Sequence, residues 1–134
     1  MEPKINKKRV LFVITQEEFG GAQRFLYELA TRLDPEKYET LVAAGESGKG
    51  DFLRSLAEKN LNTKSLRFLK REINPFTDFL ALIELAVLIR KFKPDFLHLN
   101  SSKAGFLGSI AGSRKTKIIY RIGGWSFNDT WPWL

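Results

Sequence analysis

Residues 10–15 read VLFVIT, an unbroken run of β-branched, aliphatic and aromatic side chains. Such a run is typical of a strand that is buried on both faces of a parallel sheet. After a linker at 16–21, apolar residues recur at intervals of three and four from Ala22 to Leu33, which is the spacing of an amphipathic helix. Asp34-Pro35 ends this helix, because the residue before a proline is pushed out of the helical region. This part of the chain is therefore predicted to be a strand followed by a helix.

The same alternation continues along the sequence. Further strands are predicted at 38–44, 63–68, 96–100 and 117–122, and further helices at 51–58, 75–92 and 104–111. Repeated alternation of strand and helix favours a mostly parallel sheet with helices on both faces. We therefore predict an α/β fold, a three-layer Rossmann-like domain with about five buried strands. A length of 134 residues with 43% hydrophobic residues fits one such domain, at 1–134.

Composition narrows the class of protein. The chain has no cysteine, so disulfides and thiolate metal sites are excluded, and the cytosol is the expected compartment. The start lacks the features of a signal peptide, and the longest apolar stretch, 79–89, is interrupted by Glu84 and is too short to span a bilayer. The net charge of +7 favours anionic partners. Nucleotide diphosphates and phospholipid headgroups remain open, as does a merely solvated basic surface; nucleic acid is not the expected partner.

In sheets of this kind, ligands bind beyond the carboxyl ends of the strands. That edge is expected to carry the loops at 16–21, 45–50, 70–74, 101–105 and 123–128. The first contains Gly20 and Gly21, where close backbone approach and a helix N-terminus suit a phosphate group. A turn that merely requires glycine is the alternative. The dinucleotide fingerprint G-x-G-x-x-G is absent.

Residues 43–50, AAGESGKG, resemble a phosphate-binding P-loop but differ from it at both ends. Ala43 replaces the first glycine, and Gly50 replaces the hydroxyl residue that would hold magnesium. A flexible loop is therefore the favoured interpretation.

Residues 98–105, HLNSSKAG, gather polar groups at the end of a strand just before a helix. They suit recognition of a polar ligand, although Ser101 or Ser102 has an equally good explanation as an N-cap. His98 is the only histidine. It is interpreted either as a satisfied core histidine or as a site residue, and no metal site is predicted.

Three tryptophans fall within the last ten residues, after the glycine pair Gly123-Gly124. Large aromatic side chains normally seek burial or an interface. We therefore expect that the chain continues, or meets a partner, beyond Leu134.

Four segments together resemble the amino-terminal domain of the retaining glycosyltransferases of family 4, which have the GT-B fold, especially members that build bacterial surface polysaccharides. The segments are 19–30 (FGGAQRFLYELA), 69–82 (LKREINPFTDFLAL), 93–105 (KPDFLHLNSSKAG) and 118–128 (IIYRIGGWSFN). The resemblance covers nearly the whole chain. It implies that the amino-terminal domain mainly holds the acceptor and that a second, carboxyl-terminal domain grips the nucleotide-sugar donor.

The resemblance also implies a set of site residues. Gly20 and Gly21 are expected to approach the donor diphosphate across the cleft. The acceptor side of the cleft is expected to contain Gln23, Arg71, His98, Ser101, Ser102, Lys103, Gly124 and Trp125. Relatives usually carry a histidine where this chain has Gly123, so no catalytic residue is assigned.

The resemblance implies no cofactor, because the nucleotide sugar acts as a substrate. The implied partners are a glycan or lipid-linked acceptor, a donor-lobe domain or subunit, and peripheral contact with the inner membrane face. The carboxyl-terminal donor domain lies outside these 134 residues, so this polypeptide is expected to be nearly inactive alone. Two other functions remain open: a non-catalytic binding or scaffolding module derived from such an enzyme, and a stand-alone nucleotide-binding domain.

Overall fold

A computed structural model describes residues 6–15, 21–46, 51–112 and 115–121. These residues form five strands and four helices in strict alternation. In chain order they are β1 (Lys8–Ile14), α1 (Gly21–Arg32), β2 (Tyr38–Gly45), α2 (Asp51–Glu58), β3 (Asn62–Leu66), α3 (Pro75–Phe92), β4 (Phe96–Leu99), α4 (Ser102–Ala111) and β5 (Lys117–Tyr120). The predicted bounds of α2 and α3 are confirmed, and α4 begins two residues earlier than predicted because Ser101 caps it.

The five strands form one parallel sheet in the order β3-β2-β1-β4-β5. β1 lies at the centre, where Val10 is level with Thr40 of β2 on one side and Phe96 of β4 on the other. The predicted Rossmann-like α/β fold is confirmed. The strand order reverses next to β1, so the helices that follow β1 and β4 run to opposite faces of the sheet and leave a crevice at its carboxyl edge.

The unbroken apolar run of β1 is explained by helices on both faces of the sheet. Leu11 and Val13 point into a core shared with α3 and α4, whereas Phe12 and Ile14 point into a core shared with α1 and α2. Because successive strand residues face opposite sides, both sets must be apolar. These four side chains are almost completely buried.

The expectation that all five strands are buried is wrong at the two edges of the sheet. Every residue of β5 is exposed, and β3 buries only its last residue, Leu66. In the part of the chain that the structure describes, each edge strand has a neighbouring strand on one side only, so its side chains are less covered than those of β1.

The ends of α3 follow from its sequence. The side chain of Asn74 accepts hydrogen bonds from the backbone N–H groups of Phe76 and Thr77, and Pro75 occupies the first turn. At the other end Lys93 adopts a left-handed conformation, with φ of 53°, and Pro94 follows. No helix among the described residues is both long enough and apolar enough to cross a membrane.

Candidate functional site

A cavity of about 750 Å³ lies at the carboxyl edge of the sheet, in the crevice beside β1. The ends of β1 and β4, the first turns of α1 and α4, and the segment that leads into α3 line it. Sequence positions almost ninety residues apart therefore meet around one space, as the predicted topology required. Gly21 and Lys103 lie on the same rim.

The floor of the cavity carries several polar groups beside the buried apolar side chains of Ile14 and Leu107. The hydroxyl groups of Thr15, at the end of β1, and Ser101, before α4, are hydrogen bonded to each other. The Ser101 oxygen also accepts a hydrogen bond of 3.2 Å from the backbone N–H of Ala104, so Ser101 is the N-cap of α4. Of the two serines considered from the sequence, Ser101 therefore has the capping role, and Ser102 is exposed in the first turn.

Asn100 is the most buried polar residue of this floor, with 4% of its surface exposed. Its side-chain amide donates to the carbonyl oxygens of His98 and Val13, at 3.1 and 3.4 Å. Its Oδ1 atom lacks a hydrogen-bond partner of regular geometry among the described residues. Leaving a buried polar atom unpaired costs free energy, and such atoms often mark functional positions.

Two cations of different kinds line the cavity. The Lys103 ammonium group lies 2.8 Å from Asp78 Oδ1 and also donates to the carbonyl oxygen of Glu72. The Lys103–Asp78 ion pair is largely shielded from solvent and joins α4 to α3. Arg71 is exposed, and the described residues offer it no acidic side chain within ion-pair distance. Arg71 therefore has its charge available to a ligand.

Two helix N-termini reinforce this positive character. α1 begins at Gly21 and α4 begins at Ser102, and both residues line the cavity. The first backbone N–H groups of a helix have no partner within the helix, and the helix dipole places partial positive charge there. The site is therefore suited to an anion such as a phosphate group.

The outer wall of the cavity is apolar. Ile73 and Phe106 line it, and both are strongly exposed, at 89% and 69%. The cavity therefore combines a polar, cationic floor with an apolar rim, an arrangement that suits a ligand with one polar and one apolar part.

His98 does not line the cavity. Its ring lies 5.0 Å from the ring of Phe12, on the face of the sheet that α1 and α2 cover. Burial lowers the pKa of His98 below its ordinary value; a hydrogen-bonding interaction with the Asn100 side chain partly opposes this shift, and the Arg121 charge adds to it. Its Nδ1 atom has no partner of regular geometry among the described residues. The geometry therefore does not support the placement of His98 in the acceptor cleft, because its ring packs beside Phe12 within the sheet and is absent from the lining of the cavity.

The other predicted site residues divide into two groups. Those that meet at the cavity are Gly21, Gln23, Arg71, Ser101, Ser102 and Lys103. Gly20, Gly123, Gly124, Trp125 and the other two tryptophans lie outside the described residues. Whether the first group binds an acceptor remains a prediction.

Sequence reasoning missed several residues of the cavity. Thr15 and Asn100 line it: Thr15 was not considered, and Asn100 stood in the polar motif at 98–105 without being assigned a role. Each is the polar residue that follows a buried apolar strand, a signal that was available in the sequence. Asp78 is an acidic residue in the first turn of α3, where it also lies within 3.3 Å of the backbone N–H of Asn74. Its pairing with Lys103 depends on how α3 and α4 pack, which no local signal reveals.

The stretch that resembles a P-loop is described only up to Glu46. Its Gly45 ends β2 and is fully packed: a methyl group there would collide with the backbone carbonyl oxygens of Thr15 and Leu69. Close packing therefore explains this glycine. Among the described residues there is also no cluster of three or more acidic or histidine side chains that would hold a metal ion.

Solved structures with the same architecture include glycosyltransferases. A Rickettsia africae glycosyltransferase superposes with a TM-score of 0.66 at 19% identity, over 86% of this chain and 29% of that protein. Acinetobacter baumannii MurG gives 0.63 at 14% identity, over 84% and 34%. Anabaena HepE, solved with UDP and glucose, gives 0.58 at 18% identity, over 76% and 26%. At these identities the likeness concerns the fold.

Sequence comparison carries the family assignment. An Escherichia coli protein, UDP-Gal:alpha-D-GlcNAc-diphosphoundecaprenol alpha-1,3-galactosyltransferase, is 26% identical over 132 residues, which are 97% of this chain and 33% of that protein. The chain thus spans about a third of the length of this relative. The family model of Glycosyltransferase Family 4 matches residues 19–131. Since that match covers most of the sequence and the fold agrees, this chain belongs to Glycosyltransferase Family 4 and has the fold of the amino-terminal Rossmann-like domain of its GT-B enzymes.

Proposed function

We propose that this chain forms the acceptor-binding side of a sugar-nucleotide-dependent glycosyltransferase that acts in polysaccharide or cell-envelope glycan synthesis. The observation that carries the proposal is the cavity at the carboxyl edge of the sheet. It brings Arg71, two helix N-termini and the polar groups of Thr15, Asn100 and Ser101 around one space. Membership of the family supplies the reaction class.

The chemistry of the cavity suits an acceptor that joins a sugar to a phosphate. The exposed hydroxyl group of Ser102 suits sugar hydroxyl groups, which both donate and accept hydrogen bonds. Arg71 and the first turn of α4 suit phosphate oxygens. The Escherichia coli relative has GlcNAc-diphosphoundecaprenol in its name. We extend that acceptor class, a sugar linked through diphosphate to a lipid, to this chain.

Glycosyl transfer also requires a donor site that faces the acceptor. The enzyme must hold the two sugars in line and stabilise the departing diphosphate, which is a positioning and electrostatic task. We assign the nucleotide sugar mainly to a second lobe, in the same chain or in a partner subunit, with Gly20 and Gly21 reaching its diphosphate. Peripheral contact with the inner membrane face belongs to this proposal when the acceptor is lipid-linked.

Calorimetric titration with a short-chain, water-soluble prenyl-diphosphate N-acetylglucosamine tests the acceptor site. We expect the wild-type chain to bind it and Arg71→Ala to weaken binding about tenfold or more, since a hydrogen bond to a charged group contributes about 1.5 to 3 kcal/mol. Arg54→Ala is the matched control, because Arg54 is equally exposed but lies on α2, on the other face of the sheet.

Four outcomes would count against the proposal. Equal loss of affinity in both variants would assign the effect to net charge, and absence of binding by the wild type would remove the acceptor site. Tight binding of a free UDP-sugar by the chain alone would instead favour a stand-alone nucleotide-binding domain. Acceptor binding that never supports transfer when a donor lobe is supplied would favour a scaffolding module.

A further inference from the structure

Lys103 is the only charged residue of α4, and its ammonium group is already engaged by the protein. It lies 2.8 Å from Asp78 Oδ1 and donates a further hydrogen bond to the backbone carbonyl oxygen of Glu72. Only 14% of the Lys103 side chain is exposed. Because the adjacent Asp78 carboxylate compensates its charge, Lys103 has little net charge to offer a ligand in the cavity.

The 70–73 segment, which leads from β3 towards α3, has no regular secondary structure, and all four of its side chains are exposed. Leu69, which is 2% exposed, anchors the chain just before the segment, and Asn74 anchors it just after, as the N-cap of α3. Between these anchors, the hydrogen bond from Lys103 to Glu72 is the one that the described residues give to the backbone of 70–73. Its loss should therefore leave the segment held only at its two ends.

The same network also reaches the far end of the segment. Asp78 accepts from Lys103 through Oδ1, and its Oδ2 atom accepts from the backbone N–H of Asn74 at 3.3 Å. Lys103 thus contacts the segment directly at Glu72 and reaches Asn74 through Asp78. Both connections tie the segment to the first turn of α4, at the wall of the cavity.

Arg71 and Ile73 stand on either side of the residue that Lys103 holds, and both line the cavity. Arg71 has no acidic partner among the described residues, so the position of its backbone decides where its charge lies. Groups that are held in place before a ligand arrives lose less conformational entropy on binding. A restraint on Glu72 therefore favours binding of an anion by Arg71.

We propose that Lys103 is a positioning residue: it fixes the 70–73 segment against α4, so that Arg71 is held over the cavity, and it does not itself contact the ligand. This role deepens the proposed function and rests on it for the identity of the ligand. Lys103 was expected to belong to the acceptor side, and its contacts explain its place there without a bond to the acceptor.

Nitrogen-15 NMR relaxation of the ligand-free chain tests the restraint itself. For residues 71–73 we expect backbone order parameters of about 0.85 in the wild type and below about 0.6 in Lys103→Met. Arg32→Met, which removes an exposed ion pair on α1, is the control and should leave these values unchanged. A general loss of stability would not single out this segment in the folded state. Equal order parameters in the wild type and Lys103→Met would overturn the proposal.

Calorimetric titration tests the link to Arg71. Lys103→Met/Asp78→Asn removes the ion pair without changing the net charge, so repulsion by an uncompensated carboxylate cannot imitate a loss of positioning. We expect it to weaken binding of the short-chain prenyl-diphosphate N-acetylglucosamine at least about fivefold when Arg71 is present, and less than about twofold in an Arg71→Ala background. Arg32→Met/Glu28→Gln is the charge-matched control on α1 and should leave the affinity unchanged.

Equal losses in the two Arg71 backgrounds would overturn the proposal, by assigning the Lys103 pair a direct contact with the ligand. Unchanged affinity of Lys103→Met/Asp78→Asn in the presence of Arg71 would overturn it as well. Failure of the wild type to bind the acceptor would instead count against the proposed function, and the relaxation experiment would still decide whether Lys103 fixes the segment.

Discussion

At the scale of single residues, Asn100 and His98 show how neighbouring positions on one strand acquire different roles. Asn100 directly follows β4 and lines the cavity, whereas His98, two residues earlier, packs beside Phe12 on the face that α1 and α2 cover. The sequence placed both in one polar motif. The difference is one of position along the strand: Asn100 lies beyond the last strand residue, at the edge of the sheet where the cavity begins, whereas His98 lies within β4.

The pH dependence of stability should report on His98. Burial lowers its pKa in the folded state below the ordinary value of 6.5, so the unfolded chain binds the proton more readily. Stability should therefore be unaffected by this group above pH 6.5, and should fall as the pH drops from there through the folded-state pKa. Urea unfolding measured between pH 5 and 7.5 should show this fall, and His98→Gln should remove it.

No second histidine complicates this measurement, because His98 is the only one in the sequence. If the wild type and His98→Gln lost stability in parallel over that range, the lowered pKa of His98 would be contradicted.

At the scale of elements, the structure shows which local signals suffice and which do not. Both ends of α3 were predicted from Pro75 in its first turn and Pro94 after its end, and the structure adds the caps Asn74 and Lys93. The end of β2 carries no comparable signal. From the sequence, Gly45 was predicted to belong to a flexible glycine loop. In the structure it is buried between the carbonyl groups of Thr15 and Leu69. Those two groups are supplied by segments distant in sequence.

Gly45→Ala should therefore destabilise the fold. The added methyl group meets two backbone oxygens that belong to the sheet edge and cannot rotate away, so we expect a loss of about 2 kcal/mol or more in the free energy of unfolding. Gly21→Ala is the matched control, because nothing lies within 4 Å of the added atom. Urea unfolding at pH 7 measures both. Equal stabilities of the two variants would show that the backbone around Gly45 can accommodate the methyl group without loss of stability.

The contact between Lys103 and Asp78 ties α4 to α3 and should contribute more than a surface pair. Its side chains are only 14% and 22% exposed, against 80% and 53% for Arg32 and Glu28 on α1. In double-mutant cycles of unfolding free energy, we expect a coupling of about 1 kcal/mol or more for Lys103→Met with Asp78→Asn. For Arg32→Met with Glu28→Gln we expect about 0.3 kcal/mol. A coupling no larger than that of the α1 pair would reduce the Lys103 contact to an ordinary surface interaction.

At the scale of the whole molecule, the order of strands decides where the site lies. β1 and β4 are neighbours although they are separated by two other strands in sequence. The helices that follow them cover opposite faces of the sheet, so α1 and α4 direct their N-termini into the crevice from two sides. This arrangement forms the cavity to which the proposed function assigns the acceptor.

The 134-residue chain alone should therefore show negligible sugar transfer. With UDP-galactose or UDP-glucose and the short-chain diphosphate acceptor, UDP release should not exceed that of a blank without protein, because the described residues offer no second lobe to hold the donor in line. The Escherichia coli galactosyltransferase relative, assayed with its own donor, verifies the sensitivity of the assay. Transfer or donor hydrolysis well above the blank would refute this expectation.

The sequence by itself determined the fold class and the bounds of α3. It also showed that most of the cavity residues lie in or next to loops at one edge of the sheet. It could do so because apolar periodicity, proline and capping residues act within a few positions along the chain. Only the tertiary structure decided that His98 packs beside Phe12 instead of lining the cavity, that Lys103 is paired with Asp78, and that exposed apolar residues of α3 and α4 adjoin the cavity rim. Those facts depend on which elements pack together, and the free energy of packing is shared among residues that are far apart in sequence.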